Sequence, residues 1–213
     1  FIDGQRKTSA KAMEYVSMAL IGKVNSHIVG LLNAAGHKAI GISGKDGDTV
    51  LARQRKHKTI ENGVSKEVDL GRVGEIEKVN TKLISLLINN DFIPVISCVA
   101  SDGNAHDYNI NADMFAGNIA AALKVDQYIV LTDVDGLLED KDNPSSLIKN
   151  ANISKLNKLI SEGIIKGGMI PKIDACKIAV NNGAKSARII NGTSPEQIDL
   201  LNDADSPGTL ITK

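Results

Sequence analysis

Three short polar blocks carry side chains that could bind and transfer phosphate: Asn109-Ile110-Asn111-Ala112-Asp113, Thr132-Asp133-Val134-Asp135-Gly136 and Gly167-Gly168-Met169-Ile170-Pro171-Lys172. Each falls where an apolar strand or a helix begins or ends, which is where open α/β sheets bind ligands. Read together, they suggest nucleotide-dependent phosphoryl transfer, chemistry in which a protein supplies positioning and fixed charge.

The last block is the sharpest. Pro171 suits the first turn of a helix, and the spacing of Ile173, Cys176, Ile178, Ala179 and Val180 continues that helix to Asn182-Gly183. Lys172 therefore stands at a helix N-terminus, where the macrodipole disfavours a cation by roughly 0.3–1 kcal/mol and favours an anion. A bound phosphate would reverse that cost, with Gly167 and Gly168 letting backbone come close and the N–H groups of the first turn adding donors. A solvated lysine after a flexible turn explains the same residues equally well. Asp113 reads as an N-cap or first-turn residue worth about 1 kcal/mol, although Asn109, Asn111 and Asp113 alternate so as to present amides and a carboxylate to one ligand. Thr132, Asp133 and Asp135 beside Gly136 can bind ribose, phosphate or metal, or can simply build a turn.

The elements that must position these groups alternate along the chain. Residues 9–35 read as one long amphipathic helix, with Ala12, Val16, Ala19, Leu20, Val24, Ile28, Leu31 and Leu32 at helical spacing and Gly36 as its stop. Strands follow at 38–43 and 49–53 around a turn at 44–48, and the polar stretch 54–74 reads as decoration of a sheet edge. Beyond it come a helix over 79–90, a buried strand over 93–99, a turn at 101–104 and an alanine-rich helix over 113–124. A strand over 127–131, helices over 154–161 and 170–182, a strand over 186–190, a helix over 195–201 and a last strand near Thr209 complete the pattern. This is a layered α/β fold with a mostly parallel sheet, and any domain boundary belongs in the short connection near Asp126.

Composition narrows the class. The chain has 213 residues, 42% hydrophobic and 23% charged, with 25 basic and 25 acidic side chains. That is ordinary globular composition without the basic excess of a nucleic-acid binder. Cys98 and Cys176 are far apart in apolar surroundings and read as reduced, buried thiols. His27, His37, His57 and His106 show no metal-ligand spacing. No long apolar run and no signal-like start is evident, so the expectation is a cytoplasmic protein without a membrane partner.

Taken in order, the blocks resemble the amino acid kinase family, within it the members that phosphorylate N-acetyl-L-glutamate. The resemblance covers essentially the whole chain. It is carried by Phe1-Ile2-Asp3-Gly4-Gln5-Arg6-Lys7-Thr8, by Gly41-Ile42-Ser43-Gly44-Lys45-Asp46-Gly47, and by residues 108–113, 132–138 and 163–172. It implies a three-layer αβα sandwich with a mainly parallel central sheet, in which residues 1–125 form the amino-acid-substrate and dimer lobe and 126–213 the nucleotide lobe. The implied reaction moves the γ-phosphoryl of ATP, carried with Mg2+, onto the side-chain carboxylate of N-acetyl-L-glutamate in arginine biosynthesis. A homodimer through the 9–35 helix is implied as well.

The same resemblance assigns Arg6 to the substrate α-carboxylate, with Asn109 and Asn111 on the same amino acid. It makes Lys172 the stabiliser of the transferring phosphoryl group and Asp113 the organiser that keeps that lysine aligned. Thr132, Asp133, Val134, Asp135, Gly136, Leu137, Leu138, Ile164, Ile165, Lys166, Gly168 and Met169 would form the nucleotide site, with no dedicated metal site in the protein. The family also expects a first strand and two glycine-rich turns upstream of Phe1, so the sequence is expected to be an incomplete record. Two rivals stay open: a sister kinase acting on another acyl amino acid, and a silent member of the fold that only binds its ligand.

Overall fold

The computed structural model describes residues 7–61, 64–140, 142–203 and 206–213. Its contacts divide the chain into two compact units, Phe1–Phe115 and Ala116–Lys213.

The first unit opens with a continuous helical stretch. Ser9 caps it by accepting from Ala12 N–H at 3.1 Å, and it runs as α1 (Ala10–Ser17), a π-helical segment (Met18–Asn25) and α2 (Ser26–Ala34). Gly36, with a φ of 86°, follows its end. The single long helix of the sequence reading is thus present, with a π segment at its centre. That segment has a tertiary cause. Asn25 is buried and its amide donates to Val95 O at 2.8 Å and to Ile42 O at 3.3 Å, while Ser97 Oγ donates to Leu20 O at 3.2 Å. These bonds tie the stretch to β1 (Ala39–Ser43) and β4 (Ile93–Ser97), which pair in parallel. By length and composition Ala10–Ala34 could cross a membrane, at a mean hydropathy of 1.2 over its apolar window. The sequence reading, which found no long apolar run, missed this, but one such helix near the N-terminus is weak evidence for a membrane.

Between β1 and β4 lie β2 (Val50–Glu61), β3 (Val64–Val79) and α3 (Lys82–Ile88). The stretch read as edge decoration is instead a long antiparallel hairpin, whose base closes a small barrel with β5 (Val99–Ser101) and β6 (Asp107–Asn109). Leu70, Val73, Val99, Ala100 and Tyr108 are buried there. The helix expected over 79–90 is shorter, because Val79 still pairs with Val50.

In the second unit the strand order is β7 (Gln127–Thr132), β9 (Ser186–Asn191), β10 (Thr209–Thr212) and β8 (Asn150–Asn152). β7 with β9 and β8 with β10 are parallel pairs, and β9 with β10 is antiparallel. The sheet carries α5 (Ile153–Ser161), capped by Asn152, α6 (Met169–Asn182) and the short α7 (Glu196–Asp199). α4 (Ala112–Leu123) begins in the first unit and ends in the second. In the second, a Cβ on Gly117 would stand 2.6 Å from Ala175 O, so α4 and α6 pack backbone to backbone. Of the apolar stripe read from the sequence, Ile173, Cys176, Ala179 and Val180 are buried and Ile178 is half-buried.

Candidate functional site

In the first unit the polar block 109–113 spans the end of a strand and the start of a helix. Asn109 closes β6, opposite Val99 on one side and Val73 on the other. Asn111, rather than Asp113, caps α4: its Oδ1 accepts from Met114 N–H at 3.0 Å. Asp113 lies in the first turn, where a carboxylate favours the helix dipole. Because the cap uses only the amide oxygen, the Asn111 NH2 retains its donor capacity. Arg6 lies outside the described residues.

The neighbouring 43–48 turn is braced rather than open. Asp46 Oδ2 accepts from Ser43 N–H at 2.6 Å and from Ser43 Oγ at 2.7 Å, and Gly47 turns with a φ of 58°. Lys45 is paired with Asp107 at 2.7 Å, two residues before Asn109.

In the second unit, a cavity of about 430 Å³ is lined by Val134, Gly136, Leu137, Leu138, Glu139, Asp140, Gly163, Ile164, Ile165, Lys166 and Met169. Its wall is mostly apolar, with Lys166, Glu139 and Asp140 supplying charge. Eight of the expected nucleotide residues line it: Val134, Gly136, Leu137, Leu138, Ile164, Ile165, Lys166 and Met169. Thr132, Asp133, Asp135 and Gly168 do not. Thr132 ends β7 and its hydroxyl donates to Asp133 Oδ1 at 3.2 Å. Asp135 Oδ1 accepts from Asn191 Nδ2 at 2.9 Å and from Gln197 Nε2 at 3.0 Å, so this carboxylate braces the loops after β7 and β9. Glu139 and Asp140 were missed, and only their adjacency to the 132–138 block could have signalled them; Gly163 fell inside the quoted 163–172 block but was not assigned to the nucleotide.

Lys172 stands in the first turn of α6, half-buried, as the sequence predicts. The helix has no side-chain cap, and Gly167 turns into it with a φ of 59°. A Cβ on either Gly167 or Gly168 would meet nothing within 4 Å, so space lies open beside both. The expected row of first-turn N–H donors is thinner than read. Met169 and Ile170 N–H groups already bond Lys166 O at 3.4 Å and Gly167 O at 3.2 Å, and Pro171 has none. The ammonium of Lys172 is consequently the main cationic group of this turn. Among the described residues no cluster of three or more His, Cys, Asp or Glu could hold a metal ion.

Comparison with known proteins adds the following. The signature of the amino acid kinase family matches residues 2–191. The chain is 45% identical over 215 residues to an acetylglutamate kinase of Methanocaldococcus jannaschii, covering all of this chain and 72% of that protein. It is 44% identical over 214 residues to the acetylglutamate kinase of Methanococcus aeolicus, covering all of this chain and 73% of the relative. Among solved structures, smu.665 from Streptococcus mutans superposes with a TM-score of 0.75 at 27% identity, over all of this chain and 76% of that one. An N-acetylglutamate synthase from Neisseria gonorrhoeae superposes at 0.82 with 18% identity, over all of this chain and 46% of that one, a likeness of fold alone.

Proposed function

The chain belongs to the amino acid kinase family, with its α/β fold, and on that premise we propose that it transfers the γ-phosphoryl of ATP to the side-chain carboxylate of N-acetyl-L-glutamate, in arginine biosynthesis. Identity of 44–45% to acetylglutamate kinases, over all of this chain and 72–73% of theirs, supports the substrate. The observation that carries the chemistry is the position of Lys172, one helical turn from a 163–169 segment that lines an apolar cavity.

A carboxylate oxygen attacks the γ-phosphorus as the bond to the ADP oxygen breaks. The acceptor is already ionised near neutral pH, so no general base has to remove a proton. What the protein must supply is alignment and compensation for negative charge gathering on the transferring group. Lys172 gives that compensation. Asn109, the Asn111 amide and Arg6 hold the amino acid, and Asp113 adds a fixed carboxylate at the start of α4. The cavity takes the nucleotide base against Val134, Leu137 and Ile165, and Mg2+ arriving with ATP would offset negative charge on its phosphates.

The apolar face of the 10–34 helical stretch, with Tyr15, Met18, Val24, Ile28 and Leu31 exposed, suits a homodimer contact. A cytoplasmic site supplies both ATP and the reducing conditions that suit the Cys98 and Cys176 thiols, neither in a disulfide.

Trapping with hydroxylamine tests the reaction. Hydroxamate should form only when ATP and N-acetylglutamate are both present. Product from a different acyl amino acid and none from N-acetylglutamate would transfer the assignment to a sister kinase.

A further inference from the structure

The cavity wall made by Gly136, Leu137 and Leu138 is not held by the strand that leads to it. β7 ends at Thr132, and the chain turns away at Gly136 with a φ of 143°. The wall is held on two sides: Leu137 O accepts from Ile148 N–H at 2.8 Å, and Leu137 N–H donates to Thr209 Oγ1 at 2.8 Å, a buried bond between residues 72 apart. Thr209 is itself fully buried at the start of β10. It reaches the wall because residue 136 has no side chain, since a Cβ there would stand 2.7 Å from Thr209 Oγ1.

Thr209 is anchored in turn. Arg188, in the middle of β9, donates from Nη1 to Pro207 O at 2.7 Å and to Ser206 O at 3.3 Å, just before Thr209. Its side chain is 8% exposed, and its Nε has no hydrogen-bond partner among the described residues. Burying a guanidinium this way is costly. The local return is a fixed 206–207 turn, which sets where β10 begins.

We infer that Thr209, with Arg188 behind it, is a positioning residue for the nucleotide, fixing the 136–138 wall of the cavity without contacting the ligand. The inference rests on the reading of this cavity as the nucleotide site. It concerns affinity rather than chemistry, so its signature is a split between nucleotide binding and turnover.

The test is titration calorimetry of the protein with ADP, alongside steady-state kinetics. Thr209→Val keeps the shape and removes the acceptor. We expect the ADP Kd and the KM for ATP to rise about tenfold, the loss of one hydrogen bond, with kcat and the KM for N-acetylglutamate within about twofold. Thr209→Ser, which restores the oxygen, should recover most of the affinity. Arg188→Met should raise the ADP Kd by about threefold, and Arg188→Lys by less. Unchanged ADP affinity in Thr209→Val, with only a lower melting temperature, overturns the inference. If Thr209→Val does not fold, an unchanged Kd in Arg188→Met does so instead. A native protein that binds ADP but makes no acyl phosphate removes the substrate assignment, while the Thr209→Val shift still sustains the inference. Failure of the native protein to bind ADP overturns both.

Discussion

Asn25 and Gly41 occupy one another's space: a Cβ built on Gly41 would overlap Asn25 Oδ1, while the same amide donates to the carbonyls of Val95 and Ile42. The absence of a side chain at 41 lets a buried amide join the central helical stretch to two parallel strands. Gly41→Ala should therefore displace Asn25, strand two carbonyl acceptors and cost about 1–3 kcal/mol. Chemical denaturation would register this as a lower midpoint at unchanged slope. A fully stable Gly41→Ala would show that the amide has another resting place.

Lys172→Ala removes the cation at the first turn of α6. Turnover should fall by about 100-fold to 1000-fold, while the KM values for ATP and N-acetylglutamate change little, as expected of a contact made mainly in the transition state. Comparable loss in KM with kcat preserved would make this lysine a binding group only.

Gly136→Ala places a methyl group 2.7 Å from Thr209 Oγ1 and 2.8 Å from Leu147 Cδ1, at a φ of 143°. The expected cost is about 1–3 kcal/mol of stability, accompanied by weaker ADP binding. Thermal melts with and without ADP separate the two effects: the stabilisation that ADP gives should shrink in the variant.

The Asp126–Lys185 pair, 2.6 Å apart, sits where β7 and β9 begin. The hydrogen bond and charge of Lys185 hold the Asp126 carboxyl below the usual carboxylate range, and Asp126 holds Lys185 above the usual lysine range. The Asp126 contribution is therefore present above the unfolded carboxylate pKa and is lost as pH falls through the lower folded value. The Lys185 contribution is present below the unfolded lysine pKa and is lost as pH rises through the higher folded one. Both groups are exposed, so the effect on stability is small and fades with salt. NMR titration should find the Asp126 midpoint moving upward in Lys185→Met. An unmoved midpoint would mean the pair is not formed in solution.

Leu31→Glu puts a charge on the exposed apolar face of the helical stretch, where Leu31 is 58% exposed. Sedimentation should show a shift from dimer to monomer with the secondary structure intact. A native protein that sediments as a monomer would remove the dimer proposal.

Much of the fold was legible because its signals are local. The stripe Ile173, Cys176, Ile178, Ala179 and Val180 announces α6, and Pro171 stands in its first turn as its type suggests. The β2–β3 hairpin escaped because charged residues pair across it in solvent, Arg53 with Glu75 and Lys56 with Glu67, leaving no apolar alternation to read. Leu51/Ala52 and Gln54/Lys56 register shifts blur its period further. Asn111 and Asp113 both suit a helix start, and only the hydrogen bond to Met114 tells which one caps. The bracing contacts of Asp135 escaped because its donors, Asn191 and Gln197, lie more than fifty residues later. Likewise the π segment depends on Asn25 and Ser97 bonding across the first unit, which a helical periodicity cannot reveal.

The bond from Leu137 to Thr209 also bears on synthesis at the ribosome. In the second unit β8 joins the sheet only through β10, and β10 reaches β7 only through β9. A nascent chain that has emitted β7, β8 and the lysine-bearing helix still lacks both connecting strands, and its Leu137 N–H still lacks the Thr209 acceptor. Nucleotide capture cannot then assist early folding of this unit. It becomes available only once β10 has emerged, so the sheet and its pocket close together.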